Sequence, residues 1–142
     1  MAVRTADARW QGSLRDGDGR MVTGSGAFDG TFTARSRFGD EEGTNPEELI
    51  GAAHAGCFSM AFSGALGREG YEPEWIETRA RVHLGKKPEG IGITKVELAA
   101  TGKVADIGNR DFRRIAEEAK KNCPVSRALA GVEIDLDAEL LK

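Results

Sequence analysis

Cysteine is nearly absent from this chain of 142 residues, which holds only Cys57 and Cys123. It also lacks a surplus of charge: Lys+Arg 20 stand against Asp+Glu 23, a net of −3. That balance excludes the basic face by which proteins hold nucleic acid or an anionic membrane. A small, near-neutral partner is the natural expectation, with no nucleic acid and no membrane. No charged-then-apolar leader follows Met1, and the longest apolar run is interrupted by His54, Ser59 and Ser63. Neither a signal peptide nor a spanning helix is therefore expected, and the protein is expected to be cytoplasmic. In a reducing compartment two thiols stay reduced by default, which favours a transient, catalytic disulfide over a lasting structural one. There is no internal repeat and no Gly-x-Ser-x-Gly elbow, and Gly17-Asp18-Gly19 reads as a turn rather than a phosphate loop. Hydrolase and nucleotide chemistry find little support.

The length suits one domain, residues 1–142, with one core or a core shared with a partner. Nineteen glycines exceed the average usage of about 7%, and most are expected at turns. Asp16-Gly17-Asp18-Gly19, Gly24-Ser25-Gly26 and Asp29-Gly30 break residues 2–38 into short alternating segments and read as hairpin signals. A helix is announced by Thr44-Asn45 as cap, Pro46 in the first turn, and Glu47 and Glu48 beside the positive end of the dipole. It is expected to run to about Gly67 or Gly70.

From Leu49 to Leu66 this helix has no charged residue and is apolar on all sides, the mark of a helix buried all round. A small chain cannot readily cover such a helix. Gly51, Ala52, Ala53, Ala55, Gly56, Ala61, Gly64 and Ala65 let neighbouring backbones approach closely, so a second subunit is expected to supply part of the cover. Strands follow, with Ile76, Thr78, Ala80, Val82 and Leu84 on one face, a turn over Gly85–Gly90 and a return from Ile91. Ile91 and Ile93 are odd-numbered whereas Val96, Leu98 and Ala100 are even, so a bulge is expected near Thr94-Lys95. An amphipathic helix begins near Asn109 or Asp111 and buries Phe112, Ile115, Ala116 and Ala119. A short helix is expected from Pro124 to about Ala130, then a strand alternating through Val132, Ile134, Leu136, Ala138 and Leu140. The order ββ(β)-α-ββ-αα-β defines an α+β arrangement.

The two thiols sit in different settings. Cys123 precedes Pro124 at the start of the short helix, where free backbone N–H groups and the dipole favour a thiolate. Cys57 lies within the apolar helix, where desolvation raises a thiol's pKa and leaves it inert unless a cation is near. Packing alone is an adequate reading of such a cysteine. Arg35 and Arg37, in the expected strand before the helix, are the candidate cations. His54 and Cys57 share a helix face at i, i+3, with Cys123 and His83 as further conceivable metal ligands, but the second close ligand pair of a zinc site is missing. A core or interface position is the simpler reading of His54.

The segment Gly43-Thr44-Asn45-Pro46-Glu47-Glu48-Leu49-Ile50-Gly51-Ala52-Ala53-His54-Ala55-Gly56-Cys57-Phe58-Ser59-Met60-Ala61, with Asn122-Cys123-Pro124-Val125-Ser126, closely resembles the OsmC family. These are osmotically inducible, thiol-dependent hydroperoxide reductases related to the organic hydroperoxide resistance proteins. The resemblance extends over nearly the whole chain, including Ala8-Arg9-Trp10-Gln11-Gly12 and Gly92-Ile93-Thr94-Lys95-Val96, and His54-Ala55-Gly56-Cys57-Phe58-Ser59 looks like the OsmC branch. It implies an intertwined homodimer with antiparallel β-sheets around two buried central helices and active sites at the subunit interface. It implies Cys57 as the peroxidatic thiol, Cys123 as the resolving thiol, and Arg37 and Glu47 completing the site. Arg37 rather than Arg35 matches because it precedes Phe38 in the family's Arg-Phe pattern. No cofactor is implied beyond an external thiol reductant, and the implied substrate is a small hydroperoxide; an apolar wall of Phe58, Met60 and Phe62 or of partner residues suits its hydrocarbon part, and core packing explains those side chains equally well. Along an unbroken helix, ten positions from Glu47 to Cys57 span roughly 15 Å. A glutamate that orients Arg37 beside Cys57 is then expected from the other subunit. A non-catalytic ligand-binding or redox-sensing dimer on the same fold is the alternative.

Overall fold

The computed structural model describes residues 2–141. The chain divides into two compact units, Met1–Leu49 and Ile50–Lys142. The first holds a three-stranded antiparallel sheet of β1 (Ala6–Gln11), β2 (Asp18–Thr23) and β3 (Asp29–Phe32), in the order β1-β2-β3. Gly24-Ser25-Gly26 forms the β2–β3 turn as expected, but Asp18-Gly19 and Asp29-Gly30 lie inside strands rather than at turns. The reason at Gly19 is a close approach. The rings of Trp10 and Phe32, 5.3 Å apart, lie over its backbone, and a Cβ there would come within 2.7 Å of the Trp10 ring and 2.6 Å of Phe32.

The residues expected to extend a strand through Arg35 and Arg37 instead form a short helix, α1 (Ala34–Phe38). Thr33 caps it, its hydroxyl accepting from the Ser36 N–H at 3.0 Å while the Ser36 hydroxyl accepts from the Thr33 N–H at 2.8 Å. This reciprocal pair satisfies two end donors and outweighs the strand-like pattern.

Helix α2 (Pro46–Arg68) starts where the sequence announces it. The Asn45 side chain accepts from the Glu48 N–H at 2.7 Å, and Glu47 and Glu48 occupy the first turn. By length and composition α2 is able to cross a membrane, with mean hydropathy 1.4 over its most apolar window. The breaks at His54, Ser59 and Ser63 do not bring it below that length and hydropathy, which the core helix of a soluble protein also reaches. Only 33% of that window is buried inside the chain, so the expectation of burial on every side is not met by one chain. The packed face carries Gly51, His54, Phe58, Phe62, Ala65 and Leu66, whereas Ala52, Ala53, Gly56 and Gly64 are exposed and Met60 is 79% exposed.

In the second unit β4 (Pro73–Lys87) and β5 (Gly90–Val104) form a long antiparallel hairpin. Both strands run further than the sequence suggests, through Gly85–Lys87 on one side and from Gly90 on the other, leaving Pro88-Glu89 as the turn. The expected bulge is present: His83 pairs Lys95 and Leu84 pairs Ile93, so Thr94 is the extra residue. Beyond it Val96, Leu98, Ala100 and Val104 point into the core. Helix α3 (Asn109–Asn122) lays Phe112, Ile115, Ala116 and Ala119 on that core, as its 3.6-residue period requires. Gly102 admits the Phe112 ring, since a Cβ there would stand 2.9 Å from its Cζ. A short helix α4 (Pro124–Ala128) leads to β6 (Glu133–Leu141).

β6 pairs with β5 in parallel, so this sheet is mixed rather than wholly antiparallel. The connection through α3 and α4 is a crossover long enough to return the chain in the same direction. The α+β class is as read from the sequence, with α1 as the added element.

Candidate active site

Sixty-six positions apart in sequence, the sulfurs of Cys57 and Cys123 stand 3.1 Å apart, and both are free thiols. Two elements bring them together. Cys57 is on the fourth turn of α2, directly before Phe58, whose ring packs on Phe62 at 5.6 Å between centroids while Phe62 anchors the helix on Phe112 at 4.9 Å. Cys123 closes α3, its N–H donating to the Ala119 carbonyl at 2.8 Å, and at the same time opens α4. Pro124 cannot donate to the helix and fixes the turn between the two.

The surroundings treat the thiols unequally. Burial pushes the Cys57 thiol up, the Val125 N–H opposes it, and the neighbouring Cys123 sulfur adds to the rise. Burial acts on Cys123 in the same direction, yet its pKa lies below the ordinary thiol value. The N–H of Ser126, the Cys57 thiol, the Ser126 hydroxyl and the Val125 N–H together outweigh desolvation there. The surroundings therefore raise the Cys57 thiol and lower the Cys123 thiol relative to the ordinary cysteine value.

In the first unit Arg37 and Glu47 form a two-point ion pair, Nε to Oε1 at 3.0 Å and Nη2 to Oε2 at 2.9 Å. Hydrogen bonding to Glu47 raises the Arg37 pKa against desolvation, so the guanidinium is a fixed charge. The Arg37 side chain remains 38% exposed and Glu47 only 10%. Glu47 thus pairs with Arg37 as well as occupying the first turn of α2. Arg35 points elsewhere, to Glu41 at 2.9 Å, and is exposed. Trp10, Leu14, Phe32, Arg37 and Phe38 line a hollow of about 480 Å³ in this same unit. Phe58 and Phe62, weighed as a substrate wall, are fully buried core residues instead.

His54 is fully buried and its Nε2 lies 2.7 Å from the Ser126 hydroxyl. Burial lowers its pKa. His83, on β4, pairs with Glu97. Among the described residues no group of three or more His, Cys, Asp or Glu side chains is placed to share a metal ion. Sequence reasoning did not assign Ser126 a contact, although its spacing from Cys123 repeats that of His54 from Cys57.

Fold and site together define an α+β protein with a dithiol formed where a half-buried cysteine of α2 meets a buried one at the α3–α4 junction. The chain belongs to the OsmC family: the profile described as OsmC-like protein matches residues 39–137. Peroxiredoxin OsmC of Escherichia coli (strain K12) is 44% identical over 138 residues, covering 96% of each chain. Organic hydroperoxide resistance protein-like 1 of Staphylococcus saprophyticus is 30% identical over 129 residues, covering 87% of this chain and 89% of that one. Among solved structures, the organic hydroperoxide resistance protein OhrB of Bacillus subtilis superposes with a TM-score of 0.72 at 26% identity, over 96% of this chain and 98% of that chain.

Proposed function

We propose that this protein is a thiol-dependent peroxidase that reduces organic hydroperoxides, and that it works as a cytoplasmic homodimer of single-domain subunits. The observation that carries the reading is the 3.1 Å approach of two free thiols, in a chain 44% identical to a peroxiredoxin. Cys57 is the attacking sulfur. As a thiolate it attacks the terminal oxygen of the hydroperoxide: an S–O bond forms to that oxygen, the O–O bond breaks, and the leaving alkoxide takes a proton to become an alcohol. The resulting sulfenic acid condenses with Cys123, forming the S–S bond and releasing water. Two external thiols then restore the dithiol by exchange through a mixed disulfide. No prosthetic group enters this cycle.

Burial raises the Cys57 thiol, so the first step needs a cation at the sulfur. Arg37 is that cation, held in orientation by its fork to Glu47. Glu47 is ten helical positions, roughly 15 Å, from Cys57 of its own chain. The pair therefore serves Cys57 of the other subunit. The exposed apolar face of α2 around Ala52, Ala53, Gly56 and Met60 supports such a dimer, because small side chains admit a second helix closely. The hollow beside Arg37, walled by Trp10, Leu14 and Phe38, suits a hydroperoxide with a hydrocarbon part. A ligand-binding or sensing dimer would require no pairing of all four groups Cys57, Cys123, Arg37 and Glu47.

The test is peroxide consumption with a dithiol reductant. Cys57→Ser is expected to abolish it, whereas unchanged consumption in both Cys57→Ser and Cys123→Ser overturns the enzyme reading.

A further inference from the structure

The fork between Arg37 and Glu47 needs both of its backbones held, and helix α1 cannot hold its own. It has five residues, far below the length at which a helix is stable by itself. Glu47 stands in the first turn of α2, three positions after Thr44, and a loop over residues 39–45 separates the two helices. Ser36, the neighbour of Arg37, joins them. It is 5% exposed, and its hydroxyl is used in both directions. The Oγ accepts from the Thr33 N–H at 2.8 Å, which closes the cap of α1, and donates to the Thr44 carbonyl at 2.8 Å. The Thr33 carbonyl, at 3.1 Å, is the more distant acceptor for the same proton. A longer bond from the Asn45 amide to the Ser36 carbonyl, 3.4 Å, spans the same gap.

Helix capping explains only half of this. Glu or Gln commonly closes such a box, but neither offers donor and acceptor on one atom, as the bonds to Thr33 and Thr44 here require. The far side of the bond is fixed as well. Thr44 is 8% exposed and donates its N–H to the Thr31 carbonyl at 2.8 Å. Gly43 before it has φ +127, a conformation that favours glycine. A Cβ at Gly43 would lie 3.0 Å from the Thr31 carbonyl oxygen and 3.2 Å from the Ser36 Cβ, so the absence of a side chain is what lets Thr44 come close to Ser36.

Resting on the reading of Arg37 above, we propose that Ser36 is a positioning residue for the peroxide-reducing step, its bond to Thr44 holding α1 against the start of α2 and so fixing the Arg37 guanidinium in the plane set by Glu47. The ion pair by itself would let the arginine swing with α1, because its side chain is 38% exposed and little else packs on it. Tied at Ser36, the arginine and the carboxylate approach from fixed backbones, and the charge keeps one direction toward a reacting sulfur. Ser36 acts through Arg37 and needs no contact of its own with peroxide or thiol.

The test uses the full chain with Ser36→Ala, with Ser36→Thr, which keeps the hydroxyl, and with Gly43→Ala, which keeps every atom of Ser36 and displaces Thr44. In isotope-labelled protein without peroxide, solvent exchange of the Arg37 Nε–H is followed by magnetic resonance, the signal being identified by its loss in Arg37→Met. Exchange is expected to quicken about 10-fold in Ser36→Ala and Gly43→Ala and to stay within about 2-fold of the parent in Ser36→Thr. Rapid mixing with tert-butyl hydroperoxide is expected to show Cys57 oxidation slowed about 10-fold in the first and third variants, with the following disulfide step within about 2-fold of the parent. In an Arg37→Met background, Ser36→Ala is expected to slow oxidation no further. Exchange within about 2-fold of the parent in both Ser36→Ala and Gly43→Ala, or oxidation and disulfide formation slowed alike, overturns the role of Ser36. The exchange measurement needs no peroxide, so it fails independently of the reading of Arg37, which falls only if Arg37→Met oxidises Cys57 at the parent rate.

Discussion

Arg37 and Glu47 meet through two parallel hydrogen bonds, 3.0 Å and 2.9 Å, across ten positions of sequence. A fork of this kind fixes the plane of the guanidinium as well as its place, which a lysine cannot reproduce. The carboxylate is therefore worth more to chemistry as an orienting group than as a stabilising one.

Arg37→Met keeps the stem and removes the charge, and the rate of Cys57 oxidation by an organic hydroperoxide is expected to fall on the order of 10²- to 10³-fold. Glu47→Gln keeps one acceptor and is expected to lose less, about 10-fold. Stopped-flow single turnover measures both, and an Arg37→Met rate within 2-fold of the parent would remove Arg37 from the mechanism.

Cys123→Ser leaves a sulfenic acid with no resolving thiol. One equivalent of hydroperoxide is expected to be consumed, after which excess peroxide drives Cys57 to the sulfinic and sulfonic acids. Intact-mass measurement reads two and then three added oxygens on Cys57. A mass that stays at the reduced value after peroxide treatment contradicts the assignment of Cys57 as the attacking sulfur.

Met60 is 79% exposed on the apolar face of α2. Met60→Glu puts a charge where a second subunit is proposed to pack, and sedimentation is expected to shift from dimer to monomer. Peroxidase activity is expected to fall with it if, as proposed above, the Arg37 that serves each Cys57 comes from the partner. A monomeric variant with full activity would show that the site is complete in one chain.

Phe62 lies between Phe58 and Phe112 at 0% exposure. Phe62→Ala is expected to destabilise the fold by about 3–5 kcal/mol. Gly102→Ala, whose Cβ meets the Phe112 ring at 2.9 Å, is expected to cost about 1–3 kcal/mol by overpacking. Urea unfolding at fixed protein concentration checks both.

Burial lowers the His54 pKa from its ordinary 6.5. Between that value and the lowered folded value the unfolded chain binds a proton that the folded chain refuses. Stability is then expected to fall as pH drops below about 6.5 and to be restored above it. His54→Gln removes this contribution, so its unfolding midpoint is expected to decline less on acidification than that of the parent. Equal declines would show that His54 is not the group responsible.

Periodicity was a good guide where one face of an element meets one core. It placed Phe112, Ile115, Ala116 and Ala119 of α3 and the Thr94 bulge correctly, and the capping residues Thr44-Asn45-Pro46 placed the start of α2, because each depends on neighbours close in sequence. It misplaced Arg35 and Arg37 in a strand, since the capping pair of Thr33 and Ser36 is a local hydrogen-bond contest that alternation does not register. It read Gly19 and Gly30 as turn residues because a glycine admitted for a ring passing over the backbone carries the same letter as one admitted for a turn.

By itself the sequence determined the α+β class, the family, and which four residues, Cys57, Cys123, Arg37 and Glu47, to examine. Motif residues are contiguous, and their chemistry is legible one position at a time. Only the tertiary structure decided that the two sulfurs meet at 3.1 Å, that the surroundings lower the Cys123 thiol while burial raises Cys57, and that Glu47 grips Arg37 within one chain. It alone placed His54 against Ser126. Those facts depend on segments as much as 72 positions apart, brought together by the packing of α2 against α3 and α4, and on the N–H groups that the turn at Pro124 leaves facing a sulfur.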